Sequence, residues 1–339
     1  MNQTTRTFLN TPVAIGGRQI DNRLMLAPMS GLGNAAFREL LAEYGGPGLM
    51  FMEMCSARSV PQENRYVSSV FRWRDAELPW LVCQIFGDSP ADMAAAARRI
   101  EKEGFFGVDL NFGCSVARIC KRNCGAALLK SPDQAVSIVK TVRQAVEFPV
   151  SVKFRTGWTD APAPAVEMAR RFEAAGADAL TFHPRVAPDR RARPPKWAYI
   201  GEVKSAVSIP VFGNGNVFSA ADCEAMLLKT GCDGVALGRG AVARPWVFSE
   251  MIHGRRFGPE SYAEMFNRLI DLLAAHYDQA MALRRFRKAA VYMAAYFRYG
   301  HAFNKRLRKA ADLNELRAGV NEFLQTPPEL SAEPNLNFF

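Results

Sequence analysis

Short apolar runs alternate with helical patterns along the first three quarters of the 339-residue chain. Between the runs lie amphipathic segments such as SPADMAAAARRIEKEG and SPDQAVSIVKTVRQAV, each with serine at the expected N-cap and proline in the first turn. Strands that alternate with helices indicate βαβ units. Eight such strands in a chain of this length predict an α/β fold of the (β/α)₈ TIM-barrel type. The eight runs are RLMLAPM, GLMFMEM, WLVCQIFG, FGVDLNF, PVSVKFR, DALTFHP, IPVFGNG and DGVALGR.

The period of the apolar pattern changes after Tyr262. We therefore predict a barrel domain over residues 1–258, followed by a small C-terminal helical bundle over residues 259–339. A short hairpin around VAIGGRQI, ahead of the first strand, is expected to close the lower mouth of the barrel. The apolar positions at helical spacing are Met265, Phe266, Leu269, Leu272, Leu273 and Tyr277, and then Leu313, Leu316, Val320 and Phe323.

The formal net charge of +10 is concentrated in one part of the chain. Nine lysines or arginines and no acid lie between Met281 and Ala310, which leaves +1 for everything else. Most charge runs are solvated helical faces, but nine cations without an anion repel one another, and this favours a site for a polyanion. The segments LRRFRK and NKRLRK are the candidates for such contacts.

The sequence carries no sign of a membrane segment or of a disulfide framework. The N-terminal stretch lacks the apolar core of a signal peptide, and no run approaches the roughly 20 apolar residues that cross a bilayer. Seven cysteines at irregular spacing fit a reducing compartment. The spacing of Cys114, Cys120 and Cys124 matches no zinc pattern, so we interpret the last two as structural. We expect a soluble, cytoplasmic monomer without a metal.

In a barrel of this type, active sites gather where the strands end in their C-terminal direction. Glycine loops, GNGNV and GRGAV, follow the seventh and eighth strands, which is the usual phosphate position of the fold. Either loop alone could be a tight turn, but the pair favours a phosphate site. No G-x-G-x-x-G follows the first strand, so a Rossmann site is not indicated. Nearly every strand ends in a polar group or a tight turn: Pro28 with Met29, Glu53, Gln84, Asn111 with Cys114, Lys153 with Arg155, His183 with Arg185, Asn214 with Gly215, and Gly238 with Arg239.

A phosphate at one end of the barrel mouth, with a lysine, a glutamine and a Pro-Met turn near its middle, suits a flat cofactor. Reduced flavin carries negative charge near N1 and O2, and the ammonium of Lys153 would stabilise it. The alternative for Lys153 is a strand-end lysine that reaches solvent.

Several motifs, in a fixed order, resemble those of the tRNA-dihydrouridine synthases, and the likeness runs from about residue 22 to residue 324. The resemblance implies an enzyme that carries flavin mononucleotide (FMN) and reduces the C5–C6 double bond of uridines in tRNA, with NADPH as the reductant of the flavin. The motifs are APM at residues 27–29, Gln84 in VCQIFG, the VDLNFGC block, GAALL, VSVKFRTGW, His183, NGN and GRGA.

Carried over by position, the resemblance implies roles for the residues at the strand ends. Asn111 would hydrogen-bond the uracil, and Cys114 would donate the proton to C5. A thiol with an ordinary pKa of about 8.5 is protonated at neutral pH and is still acidic enough to react. The alternative for Cys114 is a small buried apolar residue. The isoalloxazine would contact Pro28, Met29, Ser30, Gln84 and Lys153, and the ribityl phosphate would contact His183, Asn214, Gly215, Asn216, Gly238 and Arg239. Separately from the resemblance, the positive charge of this chain predicts RNA contacts at Arg185, Arg284, Arg285, Arg287 and Lys288.

The chain departs from the family pattern at Ser115, where proline is usual, at Pro184 and at Cys124. An arginine-rich loop with Arg190 and Arg191 also follows the sixth strand. Two alternatives stay open: a flavin reductase of a small pyrimidine, similar to dihydroorotate dehydrogenases, and a tRNA-binding protein without catalysis. For the tyrosines near the basic segments, Tyr292, Tyr296 and Tyr299, core packing is expected in most cases. Phosphates of the entering nucleotide are expected at Arg118, Lys121 and Arg122.

Overall fold

A computed structural model describes residues 1–187, 189 and 193–338. Within these residues, eight parallel strands close into a barrel, which confirms the predicted TIM-barrel fold. The last barrel strand pairs in parallel with the first, and this pairing leaves no free edge. The strands are β1 (Val13–Ile15), β2 (Arg18–Ile20), β3 (Leu24–Leu26), β4 (Leu49–Phe51), β5 (Cys55–Ser56), β6 (Leu81–Phe86), β7 (Gly107–Phe112), β8 (Val150–Gly157), β9 (Ala179–Val186), β10 (Val211–Asn214) and β11 (Gly234–Leu237).

Strands β1 and β2 form the predicted hairpin and pair antiparallel. Ile15 and Ile20 are buried against inward-facing side chains of the barrel, among them Phe51, Phe106 and Phe212. The hairpin therefore closes the lower mouth, and the end where the strands finish is the one open to ligands. The short strand β5 lies outside the ring of eight and pairs with β6.

The connections around the barrel are mostly helical. Ser89 caps the helix Pro90–Lys102 as predicted, because its side chain accepts from the Asp92 N–H. Ser131 stands at the N-cap of the helix Pro132–Ala145 without such a bond. Between β4 and β6, in residues 57–80, all of them described, two 3₁₀ segments replace the expected α-helix. The helices of this part are α1 (Gln3–Leu9), α2 (Ala35–Glu43), α3 (Pro90–Lys102), α4 (Ala117–Cys120), α5 (Pro132–Ala145), α6 (Ala163–Ala174), α7 (Ala198–Ala206), α8 (Ala220–Thr230), α9 (Arg239–Ala243) and α10 (Val247–His253).

A helical bundle follows the barrel, as predicted. Its helices are α11 (Ser261–His276), α12 (Gln279–Met293), α13 (Gly300–Leu307) and α14 (Leu313–Phe323). Phe266 is fully buried and its ring lies 5.0 Å from that of Phe303 and 5.8 Å from that of Phe286. One apolar core runs through bundle and barrel, so the bundle packs directly on the barrel wall. The division into two domains at residue 258 stays a prediction.

Among the described residues, no helix has both the length and the apolar character needed to cross a bilayer.

Candidate active site

A cavity of about 360 Å³ opens where the barrel strands end. Cys114, Asn111 and Arg185 line it together with every residue that the sequence assigned to a cofactor. Residues from all eight connections therefore meet in one place, because the carboxyl ends of parallel strands share one face of a barrel. The cofactor candidates in the lining are Pro28, Met29, Ser30, Gln84, Lys153, His183, Asn214, Gly215, Asn216, Gly238 and Arg239.

The loop that carries Cys114 is held on both sides by hydrogen bonds. The side-chain oxygen of Asn111 accepts from the N–H of Gly113 at 3.1 Å and from that of Cys114 at 2.9 Å. The carbonyl of Cys114 accepts from the Ala126 N–H at 2.9 Å. Gly125 has φ +63°, and a Cβ there would lie 2.6 Å from the Cys114 carbonyl oxygen, so the GAALL segment needs glycine at this position. None of these bonds uses Ser115.

A chain of hydrogen bonds continues below Asn111 into the barrel. Asn111 Nδ2 donates to Gln84 Oε1 at 2.8 Å, and Gln84 Nε2 donates to Asp109 Oδ2 at 2.6 Å. Ser151 Oγ donates to the other oxygen of Asp109 at 2.6 Å. Burial raises the pKa of Asp109 to about 6, although these two donors and Lys153 oppose the rise. Sequence reasoning missed Asp109 and Ser151; the signal was their alternation along β7 and β8, which turns Asp109 inward with Asn111.

Positive charge dominates the cavity. Burial, followed by the charge of neighbouring Arg155, lowers the pKa of Lys153 to about 8, while Asp109 opposes both effects. Burial also lowers the pKa of Arg155 to about 10, with Arg185 as the next cause. The pKa of His183 lies well below its ordinary value, first because of burial and then because of the surrounding cations. A neutral imidazole among cations leaves the cavity suited to an anionic ligand.

The anion end of the cavity is formed by the loops after β10 and β11. Asn216 Oδ1 accepts from Arg239 Nη2 at 2.7 Å and from Arg185 Nη2 at 3.2 Å. Gly215 has φ +115°, and a Cβ there would lie 2.6 Å from His183 Cδ2. A Cβ on Gly238 would lie 2.9 Å from Met29 Sδ. Gly215 is therefore required by its positive φ and by the rigid ring of His183, whereas a side chain at Gly238 would displace only the end of Met29.

Asn214 and the remaining thiols of this region have structural contacts. Asn214 Nδ2 donates to the Ala236 carbonyl at 2.7 Å and so ties β10 to β11. Cys124 is buried against Phe86 and Ile119, as expected for a structural cysteine.

Burial raises the pKa of the Cys114 thiol above its ordinary value, so Cys114 is protonated at neutral pH.

The structure separates the predicted RNA contacts of α12 into two kinds. Arg284 is exposed, and Arg287 donates to the Ala310 carbonyl. The ammonium of Lys288 donates to the Ser30 carbonyl at 2.6 Å. The prediction for Arg285 is wrong, because this residue is only 6% exposed and is buried at the junction between bundle and barrel.

The partner of Arg285 is Glu53, at 2.6 Å between Nη1 and Oε1. Glu53 is 4% exposed and does not line the cavity, so its place among the ligand-facing strand ends is also corrected. Arg185, predicted as an RNA contact, lies inside the cavity.

The basic run is partly compensated, contrary to the expectation from sequence. Within the described residues, three of its nine cations pair with carboxylates outside the run. Arg284, Lys288, Lys305, Arg308 and Lys309 are exposed, and no carboxylate of the described residues lies within 4.0 Å of them. The three pairs are Arg285 with Glu53, Arg298 with Glu329, and Arg306 with Glu322.

The other basic candidates and the tyrosines differ in their positions relative to the cavity. Arg118 lines it and is exposed, whereas Lys121 and Arg122 line a separate surface depression. Arg190 and Arg191 lie outside the described residues. Core packing holds for Tyr296, which is buried and donates to the Phe218 carbonyl at 3.2 Å.

Tyr292 and Tyr299 differ from Tyr296. Tyr292 packs partly on the core and also lines the cavity. Tyr299 is 61% exposed and is therefore not a core residue.

The fold and the cavity define a (β/α)₈ barrel protein with a positively charged cavity at the strand ends. The old yellow enzyme from Trypanosoma cruzi has a similar structure, with a TM-score of 0.55 at 13% identity over 76% of this chain and 96% of that one. Histamine dehydrogenase from Rhizobium sp. 4-9 has a TM-score of 0.57 at 15% identity, over 79% and 51%. These similarities show the fold alone.

Residues 25–329 match the family model for dihydrouridine synthase (Dus). tRNA-dihydrouridine synthase B from Pseudomonas putida is 34% identical over 92% of this chain and 94% of its own length. The protein of the same name from Klebsiella pneumoniae is 37% identical over 81% and 87%. The chain therefore belongs to the dihydrouridine synthase family of enzymes. This membership disfavours both alternatives, the small-pyrimidine reductase and the binding protein without catalysis.

Proposed function

We propose that the chain reduces specific uridines of tRNA to 5,6-dihydrouridine, with FMN as cofactor and NADPH as the reductant that recharges it. One observation carries the proposal: a protonated thiol, a lysine and a glycine-lined anion site face the same cavity. Relatives that cover most of the chain are named for the same activity on tRNA.

The residues of the cavity fit FMN. The Nε2 atom of His183 is buried without a hydrogen-bond partner among the described residues, and it is available to a polar ligand. Neither Gly215 nor Gly238 carries a side chain that would cover the backbone, so a phosphate can approach the backbone near Arg239. Met29, Gln84 and Lys153 would hold the isoalloxazine. When bound, FMN supplies a hydride to C6 of the uracil.

Cys114 supplies the proton that completes the reduction. Addition of a hydride at C6 places negative charge on C5 and O4 of the uracil, and a proton at C5 removes that charge. Burial keeps the thiol protonated until then. The thiolate that remains is stabilised by Arg155 and Lys153, whose positive charges already lower the pKa of Cys114 against the effect of burial.

Asn111 sets the position of the thiol and can also bind the uracil. Its oxygen holds the two N–H groups of Gly113 and Cys114, and one hydrogen of Nδ2 goes to Gln84. Among the described residues, the other hydrogen has Met54 Sδ as its acceptor, at 3.6 Å. A thioether is a weak acceptor, so a uracil carbonyl can replace it at little cost.

The target uridine must leave its stack to reach the cavity, and cations around the mouth would hold the flanking phosphates. Arg118 at the cavity and the exposed cations Arg284, Arg308 and Lys309 of the bundle are available to make these phosphate contacts.

The test uses the purified full-length chain, FMN, NADPH and tRNA from cells that lack dihydrouridine. We expect a yellow protein that NADPH bleaches, and dihydrouridine that mass spectrometry detects in the tRNA. Cys114→Ala should keep FMN binding and NADPH oxidation but lower dihydrouridine formation at least about a hundredfold, as expected for loss of a general acid. The control is Cys120→Ala, because this neighbouring thiol does not line the cavity.

Two results would contradict the proposal. One is a colourless wild-type protein that FMN cannot reconstitute. The other is dihydrouridine formation by Cys114→Ala at the wild-type rate, which would remove the thiol from the reaction.

A further inference from the structure

Residues 28–33 connect β3 to α2 and form one wall of the cavity through Pro28, Met29 and Ser30. Charged side chains hold the backbone of this wall at three points. The Gly31 N–H donates to the Glu53 carboxylate, and the Gly33 carbonyl accepts from Arg38 Nη1 at 2.6 Å. The Ser30 carbonyl accepts from Lys288 at 2.6 Å. Charge-assisted bonds of this kind are stronger than bonds between neutral groups.

Arg285 of the bundle holds the carboxylate that holds Gly31. Its Nη1 lies 2.6 Å from Glu53 Oε1, its Nη2 donates to the Ser69 carbonyl, and its guanidinium lies 4.6 Å from the ring centroid of Tyr277. Both members of the ion pair are almost fully buried. Removal of Arg285 would leave the Glu53 carboxylate buried without its cation, which is strongly unfavourable.

Lys288 lies on the same face of α12 as Arg285, because residues three apart on a helix are neighbours. Gly31 has φ +73°, and a Cβ at Gly31 would lie 2.3 Å from the Lys288 ammonium. The wall and the lysine are therefore in direct contact. Tyr292, one turn further along α12, lines the cavity itself. One face of this helix is thus used for the cavity wall. Lys288 on this face is also exposed to solvent, as is Arg284.

We propose that Arg285 and Lys288 are positioning residues of the bundle that hold the cofactor-side wall of the active site, and that they are not phosphate contacts for RNA. The inference rests on the proposed function in so far as the wall holds FMN. The basic residues of α12 then have two separate roles, since Arg285 and Lys288 act on the barrel and Arg284 remains available to RNA. The bundle is therefore part of the cofactor site.

The experiment compares Lys288→Met, Arg285→Met and Arg284→Met in the full-length chain. For the first two variants we expect the Kd for FMN to rise about tenfold, which is the size of effect expected from the loss of one hydrogen bond to a charged group. The visible absorption bands of the bound flavin should also shift. Arg284→Met should leave the Kd for FMN unchanged and raise KM for tRNA. Arg285→Lys should restore part of the FMN affinity, because it keeps the charge opposite Glu53.

A second measurement needs no flavin. Hydrogen exchange of the peptide that contains residues 28–33, in FMN-free protein, should be faster in Lys288→Met and Arg285→Met than in wild type, and unchanged in Arg284→Met. Lys288→Met decides the question if Arg285→Met does not fold, because loss of Lys288 leaves only a carbonyl that water can reach.

Unchanged exchange and unchanged FMN affinity in Lys288→Met, with a raised KM for tRNA, would overturn the inference and restore an RNA contact. If the wild-type chain binds no FMN, the proposed function fails, and the exchange rates alone decide whether α12 holds the wall.

Discussion

The side-chain oxygen of Asn111 accepts the backbone N–H of Cys114 at 2.9 Å, and this bond ties the proposed acid to strand β7. The same oxygen accepts from Gly113, so the turn after the strand is built around one carboxamide. Below it, Gln84 and Asp109 hold the carboxamide in its orientation. The placement of the thiol therefore depends on a polar chain inside the barrel.

Asn111→Ala tests this dependence. Without the acceptor, the Gly113–Cys114 turn loses two hydrogen bonds, and the thiol should move away from C5. We expect dihydrouridine formation to fall about 10- to 100-fold while NADPH oxidation by the FMN-loaded enzyme is retained, since a misplaced group costs catalysis more than binding. The rate of dihydrouridine formation in tRNA, measured together with the rate of NADPH oxidation, shows whether only the first of these activities falls. Equal rates in variant and wild type would show that the carboxamide does not position the acid.

The positive charge of Lys153 should lower the free energy of unfolding of the protein. Desolvation inside the cavity lowers its pKa from 10.5 to about 8, so folding is penalised by a charge that is partly removed from water. The penalty is complete below pH 8 and is relieved as the pH rises towards 10.5, because over that range the unfolded chain binds more protons than the folded one. Lys153→Met should therefore raise the urea midpoint of the FMN-free protein at pH 7, and the gain should shrink by about pH 10.

The matched control is Lys140→Met, an exposed lysine on α5. A gain for Lys153→Met that is the same at both pH values would contradict the penalty.

Gly215→Ala should damage the anion end of the cavity. Its Cβ would lie 2.6 Å from His183 Cδ2, in a backbone conformation with φ +115° that other residues rarely adopt. We expect a loss of about 1–3 kcal/mol of stability and an FMN affinity at least about tenfold weaker. Gly231→Ala is the control, because Gly231 also has positive φ, +62°, but no atom within 4 Å of its Cβ position. Equal FMN affinity in both variants would argue against a role of the Gly215 loop.

The unpaired cations of the bundle should determine how binding of tRNA depends on salt. Arg284→Gln, Arg308→Gln and Lys309→Gln should each weaken binding and lower the slope of log K against log salt by about 1 if each contacts a phosphate. Arg298→Gln should change little, because Arg298 already pairs with Glu329. Binding measured by filter retention across a salt series gives the slopes. A slope that is unchanged in all three variants would indicate that the RNA binds another surface of the protein.

Much of the active site could be predicted from the sequence for a simple reason. In parallel strands the side chains alternate and the carboxyl ends share one face, so residues such as Gln84, Lys153 and His183 had to meet once the barrel was recognised. The fully buried Asp109 was visible in the same alternation but lacked a sign of its role, because its partner Ser151 lies on another strand.

The sequence by itself determined the barrel, the helical bundle and the composition of the cavity, since these follow from local periodicity and strand order. Only the tertiary structure decided which charged side chains are accessible to a ligand and which are buried in ion pairs. Glu53 and Arg285 are 232 residues apart in the chain, yet they form a buried pair. Local patterns specify which residues share a face of an element, but an ion pair depends on which elements pack together, and no sequence window contains that information.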